Sequence, residues 1–308
     1  MLLLLAAALP SLFWDAPPDS AAVLRDAGIE RILVPAAQYE AWKSAAPPLV
    51  EAVDMMSALK LLAPGVQYRA NVASATTTPW LMSNGWRILR NPRGRFLYDV
   101  TGVKAALAAA EASCFGADAA IRTDASGLKP FAEMIAMLRT VGENGPPVVD
   151  IGFVDDGSAA AGEVVNMLVR DNLLFRLLPK PDPAMKLNVR VGSKEFPVQE
   201  ARNPAMMAHD IRGRLTDEKR GLRIYGSSVV VGRLTSKPDG VRVHLLNYAG
   251  AERKIEGVRV RVLGRFTSGR LTAAGSPAEE LLDYVVDETA TEFTLPELRT
   301  YAVIDLTK

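Results

Sequence analysis

The sequence predicts an α/β fold followed by an all-β unit: an incomplete barrel-like α/β block, a second small α/β unit and a C-terminal antiparallel β-sandwich. Short apolar strands alternate with helical stretches over residues 15–150, which is typical of a parallel or mixed sheet with helices. From residue 241 the apolar pattern changes to a period of two, which is typical of antiparallel strands. A chain of 308 residues also cannot hold an eight-fold barrel of about 250 residues together with another large domain.

The first block is predicted to contain about four strand–helix units, half of what a closed barrel requires. Gly28 marks the end of its first helix, and Pro64 with Gly65 marks the end of its second. Apolar spacing predicts helices over 19–27, 50–62, 103–115 and 130–141. Strands are predicted over 30–35, 66–73 and 117–123.

The second unit is predicted to be small, with loops held by prolines. Its strands are predicted over 148–154, 186–191 and 221–231, and its helices over 160–174 and 204–215. The tail then alternates valine with polar residues, which predicts a sandwich of about six to eight strands. Arg242, Arg259 and Arg261 form a basic stripe in this pattern. The stripe is either the solvated face of a half-buried sheet or a ligand-binding surface.

Composition excludes several classes of function. The 36 Lys and Arg residues balance 35 Asp and Glu residues, so the protein has no large net charge that would attract nucleic acid. One cysteine excludes an internal disulfide, and one cysteine with two histidines excludes a zinc site built from a Cys/His cluster. The phosphate-binding loop, the dinucleotide fingerprint, the nucleophile elbow and the zinc-protease helix motif are all absent from the sequence. We therefore expect no cofactor, no metal and no nucleic-acid partner.

Residues 1–13 form the longest apolar run of the chain. The run is shorter than the roughly 20 residues that span a bilayer, so we expect no integral membrane span. Its length suits a secretory signal over residues 1–14, although no Lys or Arg precedes it and no clean cleavage site follows it. Export to the periplasm or the extracellular space is the expectation. The alternative is a cytoplasmic protein in which this run is a buried first strand.

Three acidic residues follow predicted strands, where α/β proteins place their sites. Asp124 follows the strand over 117–123, and Asp155 and Asp156 follow the strand over 148–154. The neighbouring Arg122 is expected to lower the pKa of Asp124 and so keep it ionised as a nucleophile or base. The alternative is structural: these carboxylates cap turns and the helices that follow them.

A segment rich in Thr, Ser and Gly offers groups that suit a sugar. Trp80 and Trp86 flank Asn84, and Arg87 follows directly. These four residues and Arg122 are the candidates for contacting a substrate. A pyranose presents one flat apolar face and several hydroxyl groups, so indole rings beside amide and guanidinium donors match it. The alternative is that the two tryptophans are buried and only pack.

Three stretches together resemble multidomain glycoside hydrolases. The tail segments HLLNY at 244–248, GVRVRV at 257–262 and FTLPELRTYAVI at 293–304 are similar to the C-terminal β-sandwich of those enzymes. The middle unit resembles the class I glutamine-amidotransferase-like domain that precedes such a sandwich in barrel β-galactosidases. The segments 73–76 and 79–87 resemble part of their barrel.

After the signal segment expected over 1–14, the resemblance implies three parts: a barrel-like block over 15–145, an amidotransferase-like domain over 146–235 and a β-sandwich over 236–308. It implies an exported glycoside-hydrolase-like protein that engages carbohydrate. The middle unit lacks a cysteine, so glutamine hydrolysis is not expected. About half a barrel also leaves catalytic competence in doubt. The alternative is a noncatalytic protein that binds a ligand or assembles into a homo-oligomer.

Overall fold

A parallel sheet of six strands occupies the first part of the computed structural model, which describes residues 9–45, 49–67, 79–275 and 280–308. The strands lie in the order β3-β2-β1-β8-β7-β4, and every neighbouring pair is parallel. Their bounds are β1 Ser11–Phe13, β2 Arg31–Pro35, β3 Leu49–Val53, β4 Leu59–Leu61, β7 Arg95–Asp99 and β8 Asp118–Arg122. A separate antiparallel hairpin joins β5 Gly65–Gln67 to β6 Trp80–Met82.

In the described residues this sheet stays open, because its end strands β3 and β4 each pair with one neighbour. The predicted incomplete barrel-like architecture is confirmed to that extent. One face carries Leu12, Ile32 and Ile121 into the large core shared with the helices. Alternate residues point to the opposite face, where Phe13 and Ala120 belong to a small separate cluster. The helices are α1 Ala21–Asp26, α2 Tyr39–Lys43, α3 Gly85–Arg90, α4 Lys104–Phe115 and α5 Ala125–Val141.

The helix predicted over 50–62 is wrong, because this stretch forms the two edge strands β3 and β4. Its apolar residues fit a helix and short buried strands equally well. Pairing with β2 decides the matter, with Ile32 opposite Val50 in a parallel ladder. The side chain of Asp54 accepts the backbone N–H of Met56 at 2.8 Å and so holds the turn that separates the two strands.

The N-terminal apolar run contributes a strand to the middle of the sheet. Ser11–Phe13 pairs in parallel with both β2 and β8, and Leu12 is fully buried. This agrees with the alternative of a buried first strand for these three residues. Residues 1–8 lie outside the described residues, as do most of the strand predicted over 66–73 and the resemblance segment 73–76. Across the described part of the chain, no helix is both long and apolar enough to cross a membrane.

The second unit is a three-stranded parallel sheet in the order β10-β9-β11. Its strands are β9 Ile151–Val154, β10 Phe175–Leu178 and β11 Leu187–Val189, and its helices are α6 Ala159–Arg170 and α7 Pro204–Leu215. The sequence did not predict β10, since the apolar run of α6 continues almost without a break into it. The bounds of α7 match the prediction because Pro204 opens the helix and the side chain of Asn203 caps it.

Two four-stranded antiparallel sheets form the C-terminal sandwich, as predicted. The first, in the order β12-β15-β18-β17, contains β12 Leu222–Tyr225, β15 Ile255–Leu263, β17 Leu282–Val286 and β18 Ala290–Leu298. The second, in the order β13-β14-β19-β16, contains β13 Val230–Lys237, β14 Gly240–Asn247, β16 Ser268–Ala273 and β19 Tyr301–Thr307. Residues of both sheets form one apolar cluster between them. The single strand predicted over 221–231 is divided between the two sheets.

The expected solvated arginine stripe is wrong for two of its three members. Arg242 and Arg261 are only 6% and 8% exposed, because each lies opposite an acidic residue of the neighbouring strand. The guanidinium of Arg242 donates to both carboxylate oxygens of Asp305, at 2.7 and 3.0 Å. It also reaches the carbonyl of Glu143, in the segment that leads into the second unit, at 3.1 Å. The arginine therefore holds the sandwich against the α/β part of the chain.

Candidate functional site

The contacts sort the predicted site residues into two groups. Arg122 and Asp124 lie at the carboxyl end of β8, beside the ends of β1 and β7. Trp80, Trp86 and Arg87 lie where β6 and α3 meet the second unit, and Asp155 joins them there.

Asp124 is the N-cap of α5. Its Oδ1 accepts the hydroxyl of Ser126 at 2.8 Å and the backbone N–H groups of Gly102 and Gly127 at 3.0 and 3.1 Å. These hydrogen bonds, led by the one from Gly102, lower the pKa of Asp124. The direction agrees with the prediction, but the expected cause does not, because local hydrogen bonds and not Arg122 are the leading causes. The geometry is that of a helix cap.

Arg122 instead lies between two other carboxylates. Its guanidinium is 3.3 Å from Oδ2 of Asp15 and 3.7 Å from Oδ2 of Asp99. All three side chains are 41–69% exposed, so water screens their charges. Asp15 and Asp99 were not predicted, although both stand at the carboxyl ends of strands. In the described residues no three His, Cys, Asp or Glu side chains are grouped to hold a metal ion.

Asp155 and Asp156 both fold back onto the turn that starts α6. Oδ1 of Asp155 accepts Nη2 of Arg90 at 2.6 Å and the N–H of Gly157 at 3.1 Å. Oδ1 of Asp156 accepts the N–H of Ser158 at 2.9 Å, and hydrogen bonds from Ser158 lower its pKa. Ser158 in turn caps α6, as its hydroxyl accepts the N–H of Ala161 at 3.2 Å. The carboxylates are thus engaged in local structure.

Two tryptophans lie along α6, and we call the surface between α3, β6 and α6 the tryptophan seam. Trp86 lies beside the start of the helix, where a Cβ on Gly162 would come within 3.2 Å of its ring. Trp80 lies beside the end of the helix, with the guanidinium of Arg170 3.6 Å from its ring centre. Gly162 and Arg170 are eight residues apart on α6, so their Cα atoms differ by about 12 Å along the helix axis. Both tryptophans are partly exposed, and Trp86 also packs against the hydrophobic core.

Arginines hold the Trp86 end of the seam. The guanidinium of Arg87 lies 4.3 Å from the centre of the Trp86 ring, and that of Arg90 lies 5.9 Å from it. Arg90 is anchored by Asp155 and by the carbonyl of Ser158 at 2.9 Å. Burial lowers the pKa of Arg87, and the charge of Glu163 on α6 opposes that effect. A rigid ring with adjacent donors therefore faces the surface.

Asn84 does not reach this surface. It is fully buried, and its Nδ2 donates to Oε2 of Glu111 and to the carbonyl of Leu62, both at 2.9 Å. Its backbone N–H donates to Oε1 of Glu111 at 2.7 Å. The predicted contact between this amide and a ligand has no support in its geometry. Asn84 instead positions the first turn of α3, which carries Trp86 and Arg87.

Glu111 on α4 is the residue that the sequence reasoning missed. Its carboxylate is fully buried and accepts the hydroxyl groups of Tyr98 at 2.8 Å, Tyr248 at 2.5 Å and Ser83 at 3.2 Å, besides both groups of Asn84. Burial, and next the negative charge of Glu111, raise the pKa values of Tyr98 and Tyr248 well above the usual range, so both stay donors. The signal was visible, since Glu111 is the one acidic residue in an alanine-rich helix.

Comparison with known proteins identifies the fold. No protein-family model and no curated protein sequence matches the chain. Among solved structures, alpha-L-fucosidase isoenzyme 2 from Paenibacillus thiaminolyticus matches with a TM-score of 0.57 and 10% identity, over 87% of this chain and 70% of the fucosidase. A catalytic mutant of a GH42 beta-galactosidase from G. stearothermophilus matches with a TM-score of 0.35 and 9% identity, over 96% of this chain and 59% of the other. At this identity the likeness to the fucosidase concerns the fold alone, which is glycoside-hydrolase-like.

Proposed function

We propose that this chain is an exported glycoside-hydrolase-like protein that engages carbohydrate along the tryptophan seam and does not cleave it. The observation that carries the proposal is the pair of partly exposed tryptophans at the two ends of α6, each with an arginine against it. Aromatic faces with adjacent hydrogen-bond donors suit the apolar face and the hydroxyl groups of a pyranose. The two rings contact residues on different turns of α6, which favours an oligosaccharide over a single ring.

The proposal omits hydrolysis for a chemical reason. A glycosidase needs two carboxyl groups about 5–9.5 Å apart across the bond, one of them neutral enough to act as an acid. Beside Trp86, the carboxylate of Asp155 is only 15% exposed and is paired at 2.6 Å with Arg90. Asp124 and Asp156 have lowered pKa values, and a carboxylate of this kind does not carry a proton to a leaving group.

The remaining parts have supporting roles in this proposal. The second unit is an amidotransferase-like scaffold without its cysteine, and the sandwich and α4 fix the position of α3 through Glu111. A second candidate function is assembly with another copy of the chain. Leu49 and Leu59 lie on the two edge strands of the open sheet and are 64% and 44% exposed, whereas parallel sheets are usually covered. Light scattering of the purified protein tests that alternative, and a monomer at all concentrations contradicts it.

Calorimetric titration with a panel of oligosaccharides tests carbohydrate binding. Trp80→Ala and Trp86→Ala should each weaken binding at least tenfold, since losing a stacked ring removes about 1.5 kcal/mol or more. Tyr39→Ala is the matched control, because Tyr39 is a partly exposed aromatic residue with a cation, Lys43, 5.8 Å from its ring centre. Unchanged affinity in both tryptophan variants contradicts the proposed site.

A screen of aryl glycosides tests the absence of cleavage. The wild-type protein and Asp124→Asn should both release no aryl alcohol above the buffer rate. Turnover by the wild type that Asp124→Asn abolishes would make Asp124 catalytic and would overturn this part of the proposal. Turnover that Asp124→Asn leaves unchanged would overturn it as well, and would remove Asp124 as the residue responsible.

A further inference from the structure

We infer that the tryptophan seam selects acidic sugars, whose ring carboxylate pairs with Arg87. This inference rests on the proposed carbohydrate binding and names the class of sugar for the same surface. It depends on which charges of the seam are already neutralised and which remain available to a ligand.

The seam carries charges of both signs. Helix α3 contributes Arg87 and Arg90, and α6 contributes Arg170 near Trp80. Five carboxylates interact with these arginines: Asp155 and Asp156 with Arg90, Glu163 and Glu111 with Arg87, and Asp171 with Arg170. The seam therefore has no overall excess of positive charge, and an anion can pair only with a guanidinium whose donors are not already engaged.

Arg90 and Asp155 neutralise each other. Their Nη2–Oδ1 distance is 2.6 Å, and the two side chains are 14% and 15% exposed. The carbonyl of Ser158 takes a further hydrogen bond from the same Nη2 at 2.9 Å. A pair this short and this protected from water has no charge left for a ligand, because separating it leaves two poorly solvated ions.

Arg87 differs from Arg90 in its contacts. Within the described residues no hydrogen bond of its guanidinium and no ion pair within 4 Å is found, and its interaction is with the Trp86 ring at 4.3 Å. Its side chain is partly exposed. Glu163 lies near enough to affect its pKa but not within ion-pair distance. The donors of Arg87 are therefore available beside Trp86, where the guanidinium lies over the face of the ring.

The chemistry of the two groups matches. A guanidinium presents parallel N–H groups that fit the two oxygens of a carboxylate. A uronic acid has its carboxylate fixed on the pyranose ring, so a sugar bound beside Trp86 can pair that carboxylate with the guanidinium that lies over the ring. The cation–π contact limits the motion of the guanidinium, which lowers the entropy cost of that pairing.

The test compares an oligogalacturonate with a neutral galactose oligomer of the same length, by calorimetric titration at low and at high salt. We expect the oligogalacturonate to bind about tenfold more tightly at low salt, and expect added salt to reduce that ratio. Arg87→Gln should bring the ratio of the two affinities to about one, because the uncharged amide still offers donors to hydroxyl groups but no charge to a carboxylate. Arg87→Lys should retain part of it, because the charge remains without the planar donor pair.

The matched control is Arg93→Gln, since Arg93 is an exposed arginine in the loop that follows α3, and its preference should equal that of the wild type. Equal affinity of the wild type for both oligomers overturns the inference and leaves carbohydrate binding standing. A preference that survives in Arg87→Gln also overturns it. Binding of neither oligomer, or of no sugar in the panel, overturns the proposed function together with the inference.

Discussion

Removing the Glu111 carboxylate should destabilise the fold more than any surface substitution. Oε1 accepts three hydrogen bonds, from the N–H of Asn84 and the hydroxyls of Ser83 and Tyr248. Oε2 accepts two, from the amide of Asn84 and the hydroxyl of Tyr98. Each buried donor left without a partner costs about 1–3 kcal/mol, although neighbouring losses do not add fully. We therefore expect Glu111→Ala to lower the free energy of unfolding by at least about 4 kcal/mol.

Glu111→Gln separates the charge from the shape. A glutamine whose carbonyl replaces Oε1 keeps three acceptor contacts and turns its NH₂ group toward Asn84 and Tyr98. The tyrosine hydroxyl can rotate and accept, whereas the Asn84 amide cannot turn, because its Oδ1 accepts the N–H of Leu62 at 3.2 Å. One donor is lost, so the expected cost is about 2 kcal/mol.

Urea unfolding followed by circular dichroism measures both effects. Glu133→Gln is the matched control, because Glu133 is an exposed glutamate on the neighbouring α5, and its change should stay within about 0.5 kcal/mol. A loss below about 1 kcal/mol in Glu111→Ala would refute the reasoning, since it would mean that water reaches the donors once the carboxylate is gone.

Three further predictions concern the sandwich, α5 and the seam. His244 is fully buried, and burial, followed by the charge of Arg233, lowers its pKa from 6.5 to about 3. The unfolded chain therefore binds the proton more readily, so the free energy of unfolding should fall as the pH drops from 6.5 toward 3. His244→Gln should flatten that part of the curve of unfolding free energy against pH. A curve of the same slope in the variant would assign the acid sensitivity to other groups. Asp124→Ala should cost about 1 kcal/mol in urea unfolding because α5 loses its cap, whereas Asp124→Asn should cost little; equal losses would speak against capping. Gly162→Ala places a Cβ 2.5 Å from Nη1 of Arg90, so the variant should have a lower melting temperature and weaker carbohydrate binding. An unchanged melting temperature would show that the Arg90 side chain moves freely.

The secondary structure was predictable wherever local signals agree. The alanine-rich stretch that became α4 and the proline-opened α7 were predicted nearly to the residue, because helix start and stop signals lie within the segments. The sandwich was predictable because each strand buries one face, which produces a period of two. The structure of the stretch 50–62 was not predictable, since its short apolar groups fit a helix and a strand equally well, and only pairing with β2 makes it a strand.

The site was predictable only in its local parts. The alternative prediction, that Asp124 and Asp156 cap local structure, depends on neighbours two or three residues away. The structure contains these hydrogen bonds, from the N–H of Gly127 to Asp124 and from the N–H of Ser158 to Asp156. The available donors of Arg87 and the buried state of Asn84 were not predictable, because both depend on residues far along the chain. Glu111 and Tyr248, for instance, are separated by 137 residues.

The order of the α/β and all-β parts, the exclusion of a disulfide and of a Cys/His zinc cluster, and the tryptophans and arginines that could meet a sugar follow from the sequence alone. Which of these side chains face water and which carboxylates are already paired depends on the folded chain. The physical reason is that burial and ion pairing depend on contacts between distant segments, such as Arg90 with Asp155, whereas periodicity and capping are properties of neighbouring residues.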